Sequence, residues 1–141
     1  MIFVDTNYFL RFLLQDVSSQ MIEAKQLFLK SAKGEVSLAT SIVVFFEVAW
    51  VLRKSFSKDK QALINSLMKV LDLKVELAER SILIENIDLF KISNLSLEDC
   101  YNIVFARKQG MKTFKTFDRR LGKEFEKIVG KKKTKNSIIK I

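Results

Sequence analysis

Four carboxylates stand where a side chain of their kind invites chemistry. Asp5 follows the apolar run Ile2-Phe3-Val4, and Asp118 follows MKTFKTF. Asp99 lies just inside SLEDCYNIVFARK, and Glu47 interrupts SIVVFFEVAWVL. Hard divalent cations prefer oxygen ligands, so three or four such groups brought together would hold one or two of them. A bound Mg²⁺ or Mn²⁺ lowers the pKa of its water, stabilises charge on a phosphate and orients in-line attack. Without a cation, packed carboxylates repel one another. Phosphodiester hydrolysis is the reaction that best fits such a site, and Asp5, Glu47, Asp99 and Asp118 are expected to converge.

Glu47 is the least ordinary of the four. Its neighbours are Val, Phe, Phe, Val, Ala and Trp, with Val43 and Val51 one turn away on either side. It is therefore expected to be largely buried, where a bare carboxylate is costly unless a metal or basic partner offsets it. The alternative is a helix whose polar side shows Glu47. The other three each have a plain structural reading. Asp5-Thr6-Asn7 could simply cap the following helix. Asp99, beside Glu98, could answer the helix dipole, and Asp118 could be a turn residue ahead of Arg119-Arg120. Two acids at strand ends and a lone acid in an apolar helix make a better constellation together than any of them makes alone.

Composition narrows the chemistry further. The chain has no histidine, which excludes His-ligated zinc, His general bases and Ser-His-Asp or Cys-His nucleophile systems. One cysteine, Cys100, excludes an intramolecular disulfide and Cys-cluster metal sites, and favours a reducing, cytoplasmic compartment. The start, MIFVDTN, lacks the marks of a signal peptide, and the run around Glu47 is too short to span a bilayer. No membrane association is expected. The formal net charge is +9, and the five lysines among residues 130–141 leave +4 for the rest. That balance favours a polyanion such as RNA, or else the lysines form a solvated tail.

At 141 residues and 48% hydrophobic, the chain fits one domain with a core that needs no staples. Ile2-Phe3-Val4 reads as a short buried strand, and VSLAT as a second. Residues 7–14 and 19–33 show helical spacing, with Gly34 placed to end the second helix. Ser41 is a candidate N-cap for a helix to about Arg53. Residues 59–72 and 78–91 look like amphipathic helices with a short strand near Val75 between them. Ser96 would cap a helix over 97–109 that stops at Gly110. MKTFKTF reads as a strand ending at Asp118, and a last strand is expected at Lys127–Val129. Alternating strands and helices predict a parallel sheet with helices on both faces, and ligands in such folds bind beyond the carboxyl ends of the strands.

The four blocks IFVDTNYFLRFLLQD, TSIVVFFEVAWVL, SLEDCYNIVFARKQG and TFKTFDRRLGK, in this order and spacing, resemble the PIN-domain ribonucleases, in particular the VapC-type toxins of toxin–antitoxin systems. The resemblance covers residues 1 to 129 and leaves 130–141 as a basic tail. It implies a three-layer α/β/α sandwich with a central, mostly parallel sheet, and an acidic pocket holding Mg²⁺ or Mn²⁺ for cutting RNA. Asp5, Glu47 and Asp99 would be the principal metal ligands, with Asp118 in support. Thr6, Asn7 and Thr116 would orient the carboxylates or the water. A cognate antitoxin that blocks the groove and a homodimer are implied as partners.

Several residues carry weaker signals. Arg11 is read as an ion-pair partner of Asp16 or Glu23, with an RNA contact as its alternative. Arg119 and Arg120 could grip a phosphate backbone or sit in a solvated turn. Phe45, Phe46, Phe105 and Phe114 are read as packing, and Cys100 as a small core residue. The rival functions are a PIN-like binding module without catalysis, a non-toxin RNA-processing nuclease, an aspartyl phosphatase and an interaction protein with a membrane-binding tail. Against the phosphatase, Asn7 stands where such enzymes place a second aspartate.

Overall fold

Three short runs, Ile2–Phe3, Leu38–Thr40 and Glu76–Leu77, form the strands β1, β2 and β3 of one parallel sheet in the order β1-β2-β3. Ile2 lies opposite Leu38, and Ala39 opposite Glu76. Between β1 and β2 run α1 (Thr6–Leu14) and α2 (Ser18–Ala32), and between β2 and β3 run α3 (Ile42–Ser55) and α4 (Lys60–Asp72). Parallel neighbours need such crossovers, because a hairpin cannot return the chain in the same direction. The remaining elements are α5 (Arg80–Ile92), α6 (Leu97–Lys108) and α7 (Arg119–Ile139). This is a computed structural model; it describes residues 1–57 and 59–139, with side chains as far as Gly130. The side chains of the expected lysine tail, and Lys140 and Ile141 altogether, lie outside the described residues. Mostly helical around a parallel sheet, the fold is of the α/β/α class expected. Packing divides the chain into two units, Met1–Arg80 and Ser81–Ile141.

In the first unit, α1 turns Phe9 and Leu10 inward and α2 turns in Ala24, Phe28 and Ser31. The Phe9 and Phe28 rings meet at 5.4 Å and the Phe12 and Phe28 rings at 5.2 Å, a spacing at which aromatic pairs attract beyond simple burial. Helix α3 buries Val44, Phe45, Val48, Ala49 and Leu52, one stripe at three- and four-residue steps. The Ser31 hydroxyl donates to the Lys74 carbonyl and so satisfies a polar group in a buried place. Gly34 follows α2 at φ +79° and Gly110 follows α6 at φ +72°. A side chain would be strained at either position, which is why both helices end there. Ser41 and Ser96 cap α3 and α6, accepting from the N–H groups of Val44 and Asp99.

In the second unit the buried residues include Leu83, Ile87, Leu97, Cys100, Ile103 and Phe125. Cys100 is thus a core residue, its sulfur 3.3 Å from the Ser93 hydroxyl. Asn86 is also fully buried, and among the described residues neither polar atom of its amide has a hydrogen-bond partner. That arrangement costs about 1–3 kcal/mol.

Two expected strands are not formed. Residues 111–117 carry no strand. Their apolar members Met111, Phe114 and Phe117 recur every third residue, so they cannot share one face of a strand with its two-residue period. Met111 and Phe117 are exposed, while Phe114 packs on Phe125 with ring centroids 5.1 Å apart. The second missing strand, Lys127–Val129, lies inside α7. Leu121, Phe125, Ile128 and Val129 are spaced as the inner stripe of a helix, and Leu121 and Phe125 are buried.

Candidate active site

The first unit gathers one group of candidate residues at the carboxyl ends of β1 and β2. The Val4 N–H donates to the Ala39 carbonyl at 2.8 Å, and the Thr40 hydroxyl donates to the Val4 carbonyl at 2.7 Å. The chain leaves β1 into α1 immediately after this clamp, and leaves β2 into α3 through Ser41. Because the strands are parallel, both helices begin at the same end of the sheet, and α1 packs on α3. Asp5 stands just before α1, Thr6 opens it, and Glu47 lies little more than a turn into α3.

Asp5 holds the N-cap position of α1, yet its side chain accepts no capping hydrogen bond. The simple capping alternative for this residue therefore falls away. The Thr6 hydroxyl lies 3.4 Å from Asp5 Oδ1 and donates a short hydrogen bond to Glu47 Oε2. A threonine hydroxyl has one proton, so it serves one carboxylate at a time while holding both within reach.

Glu47 is exposed, not buried as its neighbours suggested. Helical geometry gives the reason. Val44, Val48 and Leu52 face inward, whereas Val43 and Trp50, 62% and 55% exposed, share the outer face with Glu47. The apolar letters around Glu47 divide between two faces, and the expected cost of burial does not arise. What singles the residue out is its tie to Thr6.

In the second unit Asp99 is half-buried in the first turn of α6, and its own N–H donates to the Ser96 hydroxyl at 3.1 Å. Asp118 is exposed ahead of α7, and its Oδ1 accepts from the N–H groups of Arg120 and Leu121 at 3.0 and 3.2 Å. That is the pattern of a helix cap, a structural role beyond the turn residue that the sequence suggests. The Asp118 N–H in turn donates to the Thr116 hydroxyl at 3.0 Å, which fixes the loop that presents the carboxylate. Among the described residues no three acids form a cluster able to hold a metal.

Asn7 is exposed and lines a groove of about 210 Å³ with Tyr8, Arg11, Gln20 and Glu23. Arg11 is committed there, since its guanidinium pairs with Asp16 at 2.8 Å and donates to Gln20 at 2.8 Å. The hydrogen bond from Arg11 holds the Asp16 carboxyl below its ordinary pKa. Tyr8 donates to Glu23 at 2.8 Å, and this bond raises the phenol pKa. Sequence reasoning passed over Tyr8 and Gln20 because they are partners of charged groups and carry no motif. A wider groove of about 940 Å³ lies at the other end of the sheet, lined among others by Ser37, Leu38, Lys74 and Val75. Its one arginine, Arg80, donates to the Leu73 and Val75 carbonyls. None of the candidate acids lines it, so chemistry and not size locates the site.

The donor set of the first unit suits a hard cation. Mg²⁺ is commonly held by one or two carboxylates, with water and substrate phosphate supplying the remaining oxygens. Asp5 and Glu47 are two solvent-reached carboxylates tied by one hydroxyl. A family model described as PIN domain matches residues 2–128. No curated protein and no solved structure matches the chain.

Proposed function

Because this chain belongs to the PIN-domain family, whose members are generally nucleases, we propose that it is a metal-dependent endoribonuclease working through Asp5, Glu47, Asp99 and Asp118. The observation that carries the reading is the Thr6 hydroxyl joining Asp5 and Glu47 at the carboxyl end of the sheet. Asp5 and Glu47 would hold Mg²⁺ or Mn²⁺, with Asp99 as a further ligand and Asp118 supporting. When bound, the cation supplies an activated water and offsets charge on the phosphate. Thr6 donates chiefly to Glu47 and only at 3.4 Å to Asp5 Oδ1, which leaves the Asp5 carboxylate largely open to a cation. Thr116 steadies Asp118 through the backbone, and Asn7 stands beside Thr6 as an exposed amide for the substrate or its water. Single-stranded or structured RNA is the substrate, in keeping with the net charge of +9.

We further propose that the chain is the toxin of a toxin–antitoxin pair, acts as a homodimer in the cytoplasm and is silenced by a protein antitoxin. Support comes from the residues of its four motif blocks. Among the described residues no helix is long and apolar enough to cross a membrane.

The direct test is incubation with total RNA in Mg²⁺, in Mn²⁺ and in EDTA. Cleavage in either metal and none in EDTA is expected. RNA binding without cleavage in any metal would replace this reading with that of a binding module.

A further inference from the structure

The outer face of α3 carries more than Glu47. Val43, Glu47, Trp50 and Lys54 follow one another at four-, three- and four-residue steps and form a single stripe. Trp50 is the sole tryptophan of the chain and is 55% exposed, an unusual state for so large an apolar ring. The Lys54 ammonium lies over the indole, 3.5 Å from its centroid. This cation–π contact fixes the plane of the ring and covers one of its faces. Glu47, three residues before Trp50, is tied to Thr6 and through it to Asp5. An aromatic plate thus follows Glu47 within one turn on the same exposed helix face, with a positive charge over one side of its ring.

We propose that Trp50 is a base-stacking residue that seats single-stranded RNA beside Asp5 and Glu47. A nucleobase stacks on the indole face opposite Lys54, and the Lys54 ammonium meets the backbone phosphate of the same strand. Stacking on an aromatic ring needs a base withdrawn from its helix, so the preferred substrate is unpaired. The basic charge of the chain favours a polyanion over an apolar protein partner on this stripe. The inference rests on the nuclease reading for its context and adds the strand state of the substrate.

A single tryptophan makes the test direct. The chain is titrated in EDTA with a labelled unpaired oligoribonucleotide and with the same sequence as a duplex. Indole emission and label anisotropy are followed together. The unpaired strand is expected to quench Trp50 and to bind about tenfold more tightly than the duplex. Trp50→Leu is expected to weaken that binding about tenfold and, in Mg²⁺, to raise KM by a similar factor with kcat within twofold. Trp50→Phe, which keeps a ring, is expected to recover most of the loss. Binding without quenching, equal binding by Trp50→Leu, or no binding of unpaired RNA would each overturn the proposal. Quenching by a protein partner but not by RNA would overturn it in favour of a protein-docking face. Cleavage that persists in EDTA would instead defeat the metal-dependent reading and leave the stacking result standing.

Discussion

Asp5→Asn is expected to reduce Mg²⁺-dependent RNA cleavage about a thousandfold, the equivalent of several kcal/mol of transition-state stabilisation. The substitution changes one oxygen to an amide and removes one negative charge. It leaves Thr6 an acceptor at the same place. Folding should hardly notice, because Asp5 is exposed and its side chain makes no capping bond to α1. The thermal midpoint is therefore expected to stay near that of the parent, with a stability change within about 0.5 kcal/mol. The check is a cleavage rate measured beside a melting curve. A variant that keeps its melting temperature and its cleavage rate would remove Asp5 from the chemistry.

Asp99→Asn is expected to bring a smaller loss, about a hundredfold or more, and here the structural contribution must be separated out. Asp99 sits in the first turn of α6 with Glu98, where a carboxylate interacts favourably with the helix dipole by about 0.3–1 kcal/mol. Glu98 remains to supply part of that, and Ser96 still caps the helix through the Asp99 backbone N–H, which the substitution keeps. Stability should fall by under about 1 kcal/mol. Ser96→Ala provides the contrast: it costs about 1 kcal/mol in stability without touching a carboxylate. If Asp99→Asn melts like Ser96→Ala and cleaves like the parent, its role is structural alone. If Asp5→Asn and Asp99→Asn are combined and the enzyme still cleaves, the proposed mechanism is wrong.

Much of this architecture could be read from letter spacing. Helix α2 announces itself through Met21, Ala24, Leu27 and Phe28, and its end through Gly34, whose left-handed backbone favours glycine. Ser41 and Ser96 were legible as caps because a hydroxyl just ahead of an apolar periodic run satisfies the first free N–H groups. The segment 111–117 misled because its residue types favour strands while its three-residue spacing does not. Helix α7 was missed because Gly122 and Gly130 argue against a helix one residue at a time, whereas Leu121 and Phe125 pack on one side of it.

The candidate site was legible in part. The meeting of Thr6, next to Asp5, with Glu47 across 41 positions follows from the rule that both strand ends open on one edge of a parallel sheet. The exposure of Glu47 did not follow. A run of apolar letters does not say which of them face inward when two faces of the helix both carry them. Asp118 illustrates the reverse case, in which a residue picked for chemistry also serves as a helix cap.

Val4 is bonded twice to one neighbouring strand, through its own N–H to Ala39 and through its carbonyl to Thr40. The very next residues on those two strands are Asp5 and Ser41, from which the two acid-bearing segments depart. The separation of Asp5 and Glu47 is therefore gauged by a joint that carries neither of them. Under the proposed reading, a disturbance at Thr40 would be felt as mistuned reactivity, with each candidate acid still present and nothing visibly broken.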